Sequence, residues 1–137
     1  MNINLLKTFI FFIAVISFGC KNPKPSKTVT QSGIINVVTP IEFKDKIQNN
    51  TLIDIRTPRE FEQGHIAGAI NINLYDKSFL EQIAKYDVSK PIFIYCRSGS
   101  RTSSASKKIA NLGFTQIYDL QGGISNWYRN KLTIVKE

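Results

Sequence analysis

The chain predicts an α/β domain built in layers around a parallel sheet. Three observations carry this. Short apolar runs alternate with helix-like patterns, the order of βαβ units. Two of the runs, TLIDI at 51–55 and IFIY at 92–95, are almost continuously apolar, as in strands buried on both faces. Turn and capping residues stand at each switch between the two patterns. A length of 137 residues suits one domain with a core of useful size.

The domain is predicted to begin at Ile34, where Ile34, Ile35, Val37 and Val38 form a β-like run. Thr39, Pro40 and Glu42 then give a cap, a first-turn proline and a capping box. The helix they open would turn Phe43 and Ile47 inward, and Asn49-Asn50 would stop it. The 51–55 strand follows, with Asp54 polar near its end. Thr57-Pro58-Arg59-Glu60 is a second capping box, opening a short helix with Phe61. Residues 65–69 form a turn, 70–74 a strand, and 79–85 an amphipathic helix with Phe79, Leu80 and Ile83 on one side.

Pro91 precedes the strand that runs to Cys96. Beyond a short loop, Ala105, Ile109 and Leu112 form one helical stripe, capped by Gly113. Residues 114–120 give the last long strand. The turn Gln121-Gly122-Gly123 leads to a helical turn bearing Trp127, and 132–135 closes the chain. Ligands of parallel sheets bind at the carboxyl ends of the strands. Cys96, Asp54, Arg56 and the Gln121-Gly122-Gly123 turn all fall at such ends, so they are expected to converge.

Residues 1–19 read as a signal peptide: Lys7 in the n-region, then an apolar stretch from Phe9 to Phe18. About ten apolar residues fall short of the roughly twenty that span a bilayer. Ser17 and Gly19 are small residues before Cys20, which resembles a bacterial lipoprotein signal with Cys20 as the lipidated first mature residue. Plain cleavage before Cys20 is the second reading and an uncleaved anchor the third. Residues 20–33, with two prolines and little to bury, are expected to form a polar tether reaching up to roughly 40 Å. The domain is then exported to the cell envelope or periplasm and held on a membrane.

Composition removes several classes of function. The formal net charge of +8 attracts anions, but the lysines lack the aromatic interleaving of a single-strand nucleic-acid binder. Two cysteines in regions with different roles exclude a disulfide scaffold, and one histidine without a Cys/His cluster argues against zinc.

The chemistry centres on Cys96. A thiolate attacks where a thiol does not, and helix N-termini and nearby cations favour it. A helix is predicted to start at about Arg101 to Ser103, with free amides facing back to the sulfur. Gly99 lets the loop turn into an anion nest. Arg97 and Arg101 add positive charge, or pair with Asp54 or Glu60. With no histidine nearby in sequence, activation is electrostatic rather than by a Cys-His pair. The bland alternative is an inert core cysteine; the arginines, Gly99 and the helix start favour the reactive one.

Three ordered motifs carry a family resemblance. They are Asp54 to Ala69 (DIRTPREFEQGHIAGA), the loop Cys96 to Arg101 (CRSGSR), and Leu112-Gly113-Phe114 followed by Leu120 to Ile124 and Trp127. Together they make residues 35–135 resemble a single rhodanese-like, sulfurtransferase domain. The resemblance implies a central parallel sheet of about five strands with helices on both faces. It implies a Cys96 persulfide formed from thiosulfate or a similar anionic donor and passed to cyanide or to a thiol or thioredoxin-like acceptor, without metal or organic cofactor. Arg97, Ser98, Gly99, Ser100, Arg101 and Thr102 would hold the donor and persulfide. Asp54, Arg56 and Arg59 would support the loops, His65 would be a satisfied turn residue, and Gly68, Gly122 and Gly123 would serve backbone geometry. Related phosphatases place five residues between cysteine and arginine; here there are four, which fits a sulfur-centred ligand. Non-enzymatic modules of this kind often lack the cysteine that this chain keeps.

Overall fold

The computed structural model describes residues 24–136. The expected signal peptide, residues 1–19, and Cys20 lie outside the described residues. Six strands form one sheet in the order β1-β2-β6-β5-β3-β4: β1 Ser26–Val29, β2 Ile34–Val38, β3 Thr51–Asp54, β4 Ile70–Asn71, β5 Ile92–Tyr95 and β6 Gln116–Leu120. All neighbouring pairs are parallel except β1 with β2. The helices are α1 Pro40–Ile47, α2 Pro58–Glu62, α3 Phe79–Ile83, α4 Ser100–Asn111 and α5 Gly123–Arg129.

Strand β5 shows why the fold has two apolar layers. Its side chains alternate faces, and all four are buried. Ile92 and Ile94 join Ala105 and Ile109 of α4 and Phe79 and Ile83 of α3. Phe93 and Tyr95 join Phe43 of α1 and Ile124 and Trp127 of α5. Phe43 meets Phe93 and Trp127 edge-on, at ring separations of 5.2 and 6.4 Å.

Both expected helix starts are present. Thr39 caps α1 by accepting from the Glu42 amide, and Thr57 and Glu60 form the reciprocal capping box of α2. The strand expected over 70–74 is regular only at Ile70–Asn71, although the amides of Ile72 and Leu74 still donate to the carbonyls of Asp54 and Ile55. The segment 132–135 closes the chain through reciprocal backbone bonds between Val135 and His65, each 2.9 Å.

Two expectations need correction. The sheet has six strands rather than five and is mixed rather than parallel, because residues 26–29 of the expected tether form β1. All four β1 residues are exposed, so no buried-face alternation marks the strand in sequence. Backbone pairing holds it: Ser26 lies opposite Val37 and Val29 opposite Ile34. The Thr30 hydroxyl accepts from the Gly33 amide at 2.9 Å and closes the hairpin turn. No helix among the described residues is long and apolar enough to cross a membrane.

Candidate active site

Cys96 follows directly on β5 and is fully buried. The chain then turns through Gly99, whose φ of 88° lies in the region that glycine adopts without steric cost. That turn brings the Gly99 amide onto the sulfur, donating to Cys96 Sγ at 3.1 Å. Helix α4 begins at the next residue. The amides of its first turn have no partner within the helix and carry its positive dipole end. Thr102, on that turn, sets its hydroxyl 3.8 Å from Sγ and donates to the Gly99 carbonyl at 3.1 Å. The thiol therefore sits at a helix start, as the sequence predicts.

The loop is clamped from its other side by α5. The amides of Ile124 and Ser125 donate to the carbonyls of Cys96 and Arg97 at 2.9 and 3.1 Å. Close approach requires glycine at 123. A Cβ there would stand 2.5 Å from the Cys96 carbonyl oxygen and 2.6 Å from that of Arg97. The Gly122-Gly123 turn is thus a fitted surface for the sulfur loop.

The two loop arginines differ. Arg101 is half-buried and bidentate to Glu60, with nitrogen–oxygen distances of 2.9 and 2.7 Å. Glu60 belongs to the Thr57 capping box, so one carboxylate ties the start of α2 to the start of α4. The hydrogen bond from Arg101 is the main reason the Glu60 carboxyl is held down to about 2; bonds from Thr57 add to it and burial opposes it. Arg97 is exposed and has no guanidinium partner among the described residues. It lines a cleft of about 340 Å³ with Arg56, Gln63, Ser125 and Tyr128. Ser98 and Ser100 are exposed at the loop, while Gly99 and Thr102 are buried beneath it.

Asp54 and Arg56 form a knot beside the loop. Asp54 accepts from the Arg56 amide at 3.0 Å and from its Nε at 2.9 Å. Arg56 also donates to the Gly64 carbonyl at 2.8 Å and lies 5.7 Å from the centre of the Tyr95 ring. Burial works to lower the Arg56 pKa, but its bonds to Asp54 and the opposite charge raise it above the usual range. Burial also raises the Tyr95 phenol, which accepts from the Ile66 amide at 3.1 Å. Asp54 thus pairs within its own turn, not with the loop arginines. His65 is buried, stacked 3.7 Å from the Phe61 ring, with Nδ1 3.1 Å from the Phe61 carbonyl. Arg59 is exposed on α2.

Two residues of this region carry no sequence motif. Asn71 donates to the carbonyls of Asp54 and Arg56, and alternation along β4 alone would not single it out. Asp119 is buried on β6; its spacing of two from Ile117, on the core face, is the signal that places it.

A thiol at the end of a parallel strand, met by the Gly99 amide at a helix start, is an arrangement suited to cysteine-dependent group transfer in an α/β sheet. The chain belongs to the rhodanese-like domain family, whose model matches residues 39–130. A Bacillus subtilis protein called uncharacterized protein YqhL is 37% identical over 99 residues, 72% of this chain and 77% of its own length. Thiosulfate sulfurtransferase 16, chloroplastic, of Arabidopsis thaliana is 38% identical over 90 residues, 58% of this chain and 75% of its own. Among solved structures, a rhodanese-related protein from Thermoplasma volcanium matches with a TM-score of 0.66 at 28% identity, covering 74% of this chain and 98% of that one. The polysulfide-sulfur transferase homodimer of Wolinella succinogenes matches with a TM-score of 0.62 at 26% identity, covering 74% and 78%.

Gly123→Ala should slow alkylation of Cys96 by iodoacetamide at least tenfold, because the new methyl group cannot fit against the loop carbonyls. An alkylation rate equal to wild type would contradict the clamp. The Glu60–Arg101 pair predicts a pH dependence. Its folded carboxyl lies below the ordinary 4.5, so its stabilisation is complete above that pH and is lost as pH falls toward about 2. Urea titrations should show Glu60→Gln about 1 kcal/mol less stable than wild type at pH 7, with the gap closing by pH 2.

Proposed function

We propose that this protein is a sulfurtransferase that carries sulfane sulfur as a Cys96 persulfide. The observation that carries the reading is the Gly99 amide on Sγ at the start of α4, in a loop with four residues between Cys96 and Arg101. The names of relatives such as the Arabidopsis thiosulfate sulfurtransferase support the donor class.

In the first half-reaction the Cys96 thiolate attacks the outer sulfur of thiosulfate. A sulfur–sulfur bond forms to Cys96, the donor's own sulfur–sulfur bond breaks, and sulfite leaves with the electron pair. Arg97 attracts the dianion, since its charge is not spent on a partner. Arg101 acts through Glu60, bracing the loop rather than offering both its nitrogens to the donor. The persulfide carries its negative charge on the terminal sulfur, where amides of residues 97–102 stabilise it. In the second half-reaction an acceptor thiolate, its proton released to solvent, attacks that terminal sulfur. The bond to Cys96 breaks and the Cys96 thiolate returns.

The same proposal places the domain outside the cytoplasm, lipid-anchored through Cys20, on the strength of the apolar stretch ending at Ser17-Phe18-Gly19-Cys20. More than one acyl chain is needed for stable anchoring, at about 0.8 kcal/mol per buried methylene.

Incubation with thiosulfate should add the mass of one sulfur atom, about 32 Da, to the intact protein, and cyanide should remove it. Cys96→Ser should acquire none. Absence of the adduct in wild type, or its persistence in Cys96→Ser, refutes the persulfide, and turnover of an aryl phosphate would favour phosphoryl chemistry instead. In bacterial cells, wild type should partition into detergent and Cys20→Ala into the aqueous phase; equal aqueous partitioning rejects the anchor.

A further inference from the structure

Asp119 is not accounted for by the sulfur chemistry. It is 3% exposed, and its Oδ1 has no hydrogen-bond partner among the described residues. Its neighbours across the two ladders are Ile94 of β5 and Val37 of β2, and it shares the α4 face with Ile117. Burial pushes this carboxyl up to about 7. A buried carboxylate with an unmet oxygen is costly to keep unless something completes it.

Asp119 lines a cavity of about 310 Å³ between the β1–β2 hairpin and α4. Ile35 and Val37 supply an apolar wall, and Ser103 adds a hydroxyl from α4, while the Ser106 hydroxyl donates to the Ser103 carbonyl at 3.4 Å. The titratable side chains that line it are Asp119 and Lys107, one of each sign, and they form no ion pair with each other among the described residues. Thr28 of the exposed strand β1 closes the outer side.

We propose that this cavity binds a small zwitterion of the amino-acid type, with its ammonium group on the Asp119 carboxylate and its carboxylate met by Lys107 and the Ser103 hydroxyl. The volume is at the lower end of ligand pockets, which suits a small ligand. A simple amine would gain Asp119 but face the charge of Lys107. A simple anion would gain Lys107 but face Asp119. A ligand carrying both signs is complemented at both ends, and its short apolar part lies on Ile35 and Val37. Gly99 also lines the cavity, so the ligand touches the residue whose amide holds the Cys96 sulfur.

Affinity should depend on pH in a stated direction. Asp119 must be ionised to accept the ammonium, and burial holds its carboxyl up at about 7. A free amino acid remains a zwitterion between pH 6 and 8, so the change falls on Asp119. Binding should therefore be about tenfold tighter at pH 8 than at pH 6.

The test is calorimetric titration of the protein with each proteinogenic amino acid at pH 8, without any sulfur donor. Failure here is thereby separate from failure of sulfur transfer. At least one amino acid should bind with one-to-one stoichiometry and a Kd below about 1 mM. Asp119→Asn, which keeps the shape and removes an uncompensated charge, should weaken binding at least tenfold and abolish its pH dependence. Lys107→Met should weaken it, and Thr28→Trp, placed on the exposed strand, should block the cavity while leaving both charges in place. No binding by any amino acid overturns the proposal, as does binding that survives Asp119→Asn, that is equal at pH 6 and 8, or that n-butylamine or acetate matches in affinity.

Discussion

Two helix starts meet on one short loop, and the rest of the site depends on that meeting. The α5 amides of Ile124 and Ser125 take the carbonyl oxygens of Cys96 and Arg97. The acceptor side of those peptide units is thereby satisfied within the protein, and the Gly99 amide is left to reach the sulfur at the start of α4. Neither helix could approach closely without glycine, at 99 for the turn and at 123 for the contact. An electrostatic environment for a thiolate is thus built from backbone, which does not titrate.

The charged side chains do a different job. Asp54 with Arg56 and Glu60 with Arg101 are each closed pairs; the first sits where β3 ends before α2, and the second ties the starts of α2 and α4 together. They fix where the loops stand. Removing one partner from the buried Asp54–Arg56 knot would leave a charge without compensation, a change that commonly costs about 3–5 kcal/mol. The cation that remains open at the loop is Arg97, at the rim of a cleft that also holds Tyr128.

Much of the layered fold is legible in the sequence because local rules and packing agree. The runs at 51–55 and 92–95 are apolar on both faces and become central strands, and the Thr57-Glu60 box starts a helix as such boxes do. Cys96, Gly99 and the start of α4 are legible for the same reason, since thiol, turn and helix follow one another in the chain. Contacts between distant segments are not. The Arg101–Glu60 pair joins residues 41 positions apart, and nothing local decides between Glu60 and Asp54 as the partner. Asn71 bonds only backbone, so its role has no partner residue to reveal it. Strand β1 is hidden because backbone pairing alone defines it, and its exposed side chains read as a tether.

That strand changes how the domain meets its surroundings. Because β1 runs against β2, its first residue, Ser26, stands opposite Val37, close to the carboxyl end of β2. The sulfur loop leaves the sheet from this same edge, after Tyr95. Five residues, Lys21 to Pro25, separate Cys20 from Ser26, so six residue steps give a reach of at most roughly 22 Å. A lipid on Cys20 would therefore not hold the domain far out on a long leash. It would moor the molecule by its reactive rim, with the Cys96 loop near the headgroups, so that sulfur would be exchanged in the thin layer of solvent next to the bilayer.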